Sequence, residues 1–203
     1  NLYVGNSTVS NNFSEGKAGG VGGGGIVRLE HATITDNFAA VASNVGAGER
    51  LESFASILGP TNAFLGDDEP PPRAACRVTE AVSYGYNLAT HPLCGLDGPS
   101  DVVGLEDPGL GPLQEDGGFG ETNPPEAGSP VLERIPPGAC RLSPFYDIFD
   151  ASDQHLEGYV NDRVALLTRD QRGVERPQGL NKSERPGLPE PARLTRCCSK
   201  INY

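Results

Sequence analysis

Residues 7–13, STVSNNF, and residues 32–38, ATITDNF, are two copies of one pattern. Thr8 aligns with Thr33, Val9 with Ile34, Ser10 with Thr35, Asn12 with Asn37 and Phe13 with Phe38, all at one constant offset. The same offset sets Leu2 on Val27 and Val4 on Leu29. A weaker third copy, ASILGPT at residues 55–61, sets Ile57 on Ile34 at a slightly shorter offset, and Leu51 precedes it much as Val27 precedes Ile34. Offsets of this size belong to solenoids, in which each unit buries its apolar face against the next.

The local pattern decides which solenoid. LYVGNSTVS (2–10) and IVRLEHATIT (26–35) alternate apolar and polar residues and are rich in β-branched types. That is the period of strands, and no segment here sustains a helical one. The expectation is an all-β solenoid, a parallel β-helix with coils about 4.8 Å apart. Val9, Ile34 and Ile57 would form one internal stack, and Leu2, Val27 and Leu51 another. Asn12 and Asn37 would occupy equivalent turns, with their amides hydrogen-bonded from coil to coil.

Between the first two copies lies AGGVGGGGIV (18–27), in which Gly20, Gly22 and Gly25 fit the dinucleotide spacing G-x-G-x-x-G. The context does not fit. A Rossmann turn needs a strand before it and a helix after it. Here a loop-like NNFSEGK precedes and a strand pattern follows, and no G-K-[ST] makes a phosphate loop. The glycines are expected instead to supply positive φ and close backbone approach at a corner between coils.

Charge narrows the partners. The 203-residue chain carries a net charge of −11, and residues 61–160 hold 17 acidic side chains against 4 basic ones. A nucleic-acid partner needs a basic footprint and is not expected. Residues 161–203 reverse the balance, with 9 bases against 5 acids. No apolar run approaches the roughly 18 residues of a membrane span, and no segment reads as a signal peptide. The absence of Met, even at position 1, reads as a fragment or a processed product.

Three downstream segments add a more specific signal. SYGYNLATHPLCGL (83–96), DVVGLEDPGLGPLQEDGGFGETNPPEAGSPVLE (101–133) and TRDQRGVERPQG (168–179) occur in that order. Together with NSTVSNNF, GGVGGGGI and HATITDNF, they resemble the right-handed parallel β-helix repeat proteins of bacterial surfaces, of the choice-of-anchor type. The resemblance covers residues 1–180. It implies right-handed coils over residues 1–103 with an insertion near 60–82, a loop-rich C-terminal cap over 104–180, and an extracellular or cell-surface location. The chain departs from that pattern at the acidic, Pro-rich GDDEPPPR (66–73), at PFYDIFDASDQHLEGYV (144–160), and after residue 180. There the closing C-D-I-G-A-F-E strand of the group is replaced by the basic LNKSERPGLPEPARLTRCCSKINY. A shifted reading frame and a truly different tail both account for residues 181–203.

Five cysteines occur, at 76, 94, 140, 197 and 198, without a C-x-x-C pair. That usage suits disulfides better than zinc. Cys76 and Cys94 flank SYGYNL and are expected to bridge; Cys140 would pair with Cys197 or Cys198.

Few residues invite chemistry. The acidic groups Asp67, Asp68, Glu69 and Asp97, Asp101, Glu106, Asp107 offer oxygens to Ca²⁺, but neither has EF-hand spacing, and a solvated acidic loop is the preferred reading. A β-helix hydrolase needs paired carboxylates from neighbouring coils. Arg28, Glu30 and Asp36 face Tyr3, Gly5 and Asn11 one coil back, which makes no pair. His31, His91 and His155 read as loop or surface residues. Asp170, Gln171, Arg172 and Gly173 form the sharpest polar motif, read as an Asp–Arg pair pinning a cap turn. No catalytic, cofactor or metal residue is therefore assigned. The expected function is a non-enzymatic structural or adhesive module with a glycan or surface-protein partner. The alternative is a carbohydrate-active β-helix, a polysaccharide lyase or hydrolase, with its active site in further N-terminal coils.

Overall fold

A computed structural model describes residues 1–61, 74–118, 120–135 and 170–173. Over these the chain is all-β. Its strands are β1 (Leu2–Gly5), β2 (Thr8–Ser10), β3 (Phe13–Ser14), β4 (Val21–Gly23), β5 (Ile26–Glu30), β6 (Thr33–Thr35), β7 (Phe38–Ala39), β8 (Val45–Phe54), β9 (Ile57–Leu58), β10 (Cys76–Ser83), β11 (Leu88–Ala89) and β12 (Val102–Val103). One short 3₁₀ turn, Pro92–Cys94, is the only helix among the described residues. The strand β10 begins inside the stretch expected to be an insertion, of which residues 62–73 lie outside the described set.

The strands form three sheets, and all their pairings are parallel. The first runs β1-β5-β8-β10, with β4 also beside β8; the second runs β2-β6-β9-β11-β12; the third pairs β3 with β7. The expected register appears at the first two levels: Leu2 opposes Val27, Thr8 opposes Thr33, Val9 opposes Ile34 and Phe13 opposes Phe38. The Phe13 and Phe38 rings stack, 5.2 Å apart and 4° from parallel. Val27 then opposes Leu51, as expected.

The third level corrects the alignment by one residue. Ile34 opposes Leu58, not Ile57, and Ile57 opposes Thr33. The internal stack is therefore Val9, Ile34, Leu58 and Ala89. The step from Val21 to Val45 is one position shorter than the step from Phe13 to Phe38, so the dropped residue falls between Ala39 and Val45. Ile57 faces the other way, against Phe54, Leu88, Val131 and Ile135.

Alternation along the strands divides the faces. Val27, Leu29, Ile34, Val45, Leu51 and Leu58 are fully buried in one interior cluster. The column Val4, Leu29, Ser53, Ser83 changes from apolar to hydroxyl as it rises through the first sheet. The corners recur with it. Asn6, His31, Ala55, Tyr86 and Ser100 all have φ between 49° and 64°, and each lies two residues before its strand of the second sheet. Asn11 and Asp36 repeat the same left-handed conformation at the next corner.

The glycine run does not behave as expected. None of Gly19, Gly20 or Gly22 to Gly25 has a positive φ; left-handed corners fall on non-glycine residues instead. Val21–Gly23 is a strand opposite Val45–Ala47. The reason for glycine here is close approach. A Cβ on Gly19 would lie 2.5 Å from the Phe38 carbonyl oxygen and 2.6 Å from that of Ser43, and one on Gly20 would lie 2.7 Å from that of Asn44. We expect Gly19→Ala to destabilise by about 1–3 kcal/mol, the range for overpacking against unyielding atoms. Gly24→Ala, whose Cβ meets nothing within 4 Å, should stay within about 0.5 kcal/mol of the parent in urea melts.

The asparagine ladder forms as the repeat implied. Asn12 Nδ2 donates to Asn37 Oδ1 at 3.0 Å. Asn37 Nδ2 contacts Asn44 Oδ1 at 3.1 Å, and Asn44 Nδ2 donates to the Gly59 carbonyl at 2.8 Å. The Asn44 link has no counterpart in the aligned copies.

Beside the ladder, burial raises the Asp36 carboxyl above its ordinary pKa, partly opposed by the Thr35 hydroxyl. A carboxyl raised in the folded state binds its proton more tightly there, so its contribution is fully present below the unfolded value of 3.8 and fades as pH rises past the folded one. Asn11, its counterpart one level below, is the amide that tolerates this corner without titrating. Asp36→Asn should therefore raise the melting temperature at neutral pH and leave it nearly unchanged at about pH 3.

Cys76 and Cys94 are bridged, and both are buried. The expected pairing of Cys140 with Cys197 or Cys198 lies outside the described residues.

Candidate functional site

The outward face of the first sheet carries a polar ladder that the sequence did not disclose. Glu30 and Glu52 come from adjacent strands β5 and β8, and both are buried. Opposite Glu30 on β1 lies only Gly5; the second carboxylate is on β8, where Glu52 opposes Arg28. The signal was an Arg–Glu pair, Arg28 and Glu52, separated by 24 positions in sequence.

The two carboxylates are engaged. Arg28 Nε donates to Glu52 Oε2 at 2.6 Å, and Arg50 Nη2 lies 2.6 Å from Glu52 Oε1. Hydrogen bonding to Glu52 in turn raises the Arg50 pKa. The Tyr3 hydroxyl donates to Glu30 Oε2 at 2.5 Å. A glycosidase acid or base must reach substrate with a free oxygen. Both Glu52 oxygens are held by guanidinium groups under a nearly closed surface, so this arrangement ties strands together across levels.

The remaining expected residues are dispersed. Asp36 stands at the other corner, away from the Glu30–Glu52 ladder. His31 is not a surface residue: it is buried, and its ring meets Phe54 edge-on at 5.5 Å. The cause is its corner position, which folds the ring under the cluster of Phe54 and Ile57. His91 Nδ1 accepts from the Leu93 amide and so caps the 3₁₀ turn; His155 lies outside the described residues.

Of the second acidic group, Asp97 and Glu106 are exposed, and Asp101 and Asp107 hold turns. Asp101 accepts from the Asn87 amide and from the Gly98 amide, and Asp107 accepts from the Gly109 amide. Asp67, Asp68 and Glu69 lie outside the described residues, and no group of three metal-ligating side chains occurs within them.

Asp170 and Arg172 are paired at 2.6 Å, with the Asp170 side chain fully buried. The Arg172 amide also donates to Asp170, closing the turn. Gln171 bridges outward, accepting from the Thr8 hydroxyl at 2.9 Å and contacting the Glu121 carbonyl at 3.4 Å. Gly118 leaves room for this turn, since a Cβ there would lie 2.5 Å from Arg172 Cα. The motif thus fastens Gly118 and Glu121 to β2.

Among the described residues, an accessible groove lies elsewhere, on the first half of β8. A groove of about 630 Å³ is lined by Lys17, Ala18, Gly22–Gly24, Gly46–Gly48 and Arg77–Thr79. Its floor is the outward face of β4, β8 and the start of β10, where Gly22 opposes Gly46 and Gly46 opposes Arg77. Lys17, Arg77 and Thr79 are exposed around it. No carboxylate lines it.

The chain matches no protein-family model, no curated protein and no solved structure. Among the described residues, no helix is long and apolar enough to cross a membrane.

Proposed function

We propose that the chain is part of a right-handed parallel β-helix of the bacterial choice-of-anchor kind, exported, with a structural or adhesive role. The observation that carries the fold is the register. Strands one repeat apart in sequence pair parallel in all three sheets, as a chain does when it winds once per level. Parallel crossovers are right-handed in about 98% of cases, which supports that hand. The buried Cys76–Cys94 bridge is compatible with an oxidising compartment. The open groove beside a Glu52 carboxylate held at both oxygens by Arg28 and Arg50 favours binding over cleavage.

The test is a paired assay on immobilised acidic and neutral polysaccharides. Retention of the chain without new reducing or unsaturated ends supports the adhesive reading. Release of such ends, abolished by Glu52→Gln or Glu30→Gln, would establish the carbohydrate-active alternative in its place.

A further inference from the structure

Levels rise from β1 toward β10, and β1, β2, β3 and β4 build the lower end. Among the described residues β1 pairs only with β5, β2 only with β6, β3 only with β7 and β4 only with β8. One column of amides shows what this end is built to meet. The Val102 amide donates to the Asn87 carbonyl, Leu88 to Ser56, Ile57 to Ala32 and Thr33 to Ser7, each reaching one level down at 2.8 to 2.9 Å. The Thr8 amide holds the next place in that column and has no carbonyl below it among the described residues.

The asparagine ladder stops in the same direction. Asn37 Oδ1 accepts from the Asn12 amide and from Asn12 Nδ2, both at 3.0 Å, and Asn37 Nδ2 reaches down to the Val9 carbonyl at 2.9 Å. Within its own level Asn12 Nδ2 donates to the Ser10 carbonyl, just as Asn37 Nδ2 does to that of Thr35. Only the downward contacts differ: among the described residues Asn12 Oδ1 accepts nothing, and its Nδ2 reaches no carbonyl a level lower. The apolar columns end likewise. Leu2 is 38% exposed beneath Val27 and Leu51, which are fully buried, and Val4 and Val9 are partly exposed beneath buried Leu29 and Ile34.

The strands of this end lack the devices that turn another strand away. β1 and β2 hold no charge, no proline and no bulge. β10, at the other edge of the first sheet, exposes Arg77 and Glu80 and shifts register between Val78 and Glu80.

These groups specify the occupant. It must run parallel, set a carbonyl beneath Thr8, and bring a backbone amide and a side-chain NH₂ to Asn12 Oδ1. A coil of this repeat does all three. A second copy does not. Two lower ends meet only with antiparallel strands, which sets Asn12, just after β2, beside the residues that precede β2. The β10 edge of another copy is charged and bulged. An unrelated extended peptide would pair with one strand and leave the other edges and Asn12 unmet.

We infer that the lower end is a docking face for one more coil of this repeat, entering at Asn1 in the register that sets Leu2 on Val27. Asn1 stands at the point of entry, where its Oδ1 accepts from the Ile26 amide at 3.2 Å. Residues leading into it would pass beneath β4 as β4 passes beneath Val45–Ala47. The inference rests on the parallel winding proposed above, and not on the adhesive role.

The test joins a second copy of residues 1–25 ahead of Asn1 and follows amide hydrogen exchange by NMR in the grafted full chain and in the parent. The Thr8 amide is expected to exchange freely in the parent and to slow at least about tenfold in the graft. The amide of the grafted asparagine that mirrors Asn12 should be protected too, and Asn12→Ala in the grafted chain should remove that protection while Val27 and Leu51 stay protected. A graft of the same residues in scrambled order should leave Thr8 as it is in the parent. Equal Thr8 exchange in parent and graft, or equal slowing by the scrambled graft, overturns the inference. Thr8 protection in the parent that rises with protein concentration overturns it in favour of a second copy. Fast exchange at Val27 and Leu51 in the parent would instead defeat the parallel winding itself. Should the graft not fold, a peptide of residues 1–25 added to the parent gives the same readout, and unchanged Thr8 exchange at millimolar peptide overturns the docking face.

Discussion

Asn87→Leu is expected to cost roughly 2–5 kcal/mol of unfolding free energy, because two buried donors lose their acceptor together. Asn87 is 1% exposed at the level where the interior column turns from Leu29 to Ser53 and Ser83. Its Oδ1 accepts from the Ser53 hydroxyl at 2.8 Å and from the Ser56 amide at 3.0 Å. Its Nδ2 faces the Ser83 hydroxyl, the Ser53 carbonyl and Asp101 Oδ1 at 2.8 to 3.1 Å. Leucine keeps the branched shape and strands the Ser56 N–H and the Ser53 O–H in a closed interior. Urea denaturation with an unchanged m-value checks the size. A double-mutant cycle checks the cause: adding Ser53→Ala to Asn87→Leu should recover part of the loss, since it removes one stranded donor. A loss below about 1 kcal/mol would show that Asn87 is not the hub its contacts imply.

The second large effect concerns the bridge. Replacing Cys76 and Cys94 together by Ala should cost about 3 kcal/mol in the chain-entropy account of a loop with a sequence separation of 18. Cys94 is fully buried in the interior cluster with Leu51 and Leu96, so a void adds to that figure. The chain-entropy part of the loss, without the void, should appear in the parent treated with reductant under denaturing conditions and refolded reduced. A parent whose stability is the same with and without reductant would place the bridge outside the folding free energy.

Much of this was legible because the first two levels repeat side chain for side chain. Leu2, Val9, Asn12 and Phe13 each find their opposite number by one constant count along the chain. The third level slipped because Ile57 and Leu58 are both buried, one inward and one against Val131 and Ile135, so alternation gave no cue to which belongs opposite Ile34. The glycines misled differently. Composition announces that glycine is required but not why, and here contact with the Phe38 and Ser43 carbonyls, not a left-handed turn, is the constraint. The left-handed corners fell on His31, Ala55, Tyr86 and Ser100, which carry no sequence signature for them. The Glu30–Glu52 face was hidden because its partners lie across a register that is known only once the strands are paired. The Asp170–Arg172 turn was legible because both partners lie within one short motif.

A crystal structure measures the central point most directly: the Cα separation of Val27 from Leu51 and of Ile34 from Leu58, together with the hand of the winding. A parallel β-helix gives about 4.8 Å at both pairs, with a right-handed turn from each level to the next. An antiparallel hairpin between residues 26–30 and 33–35, Ile57 opposite Ile34, or a left-handed winding would contradict it.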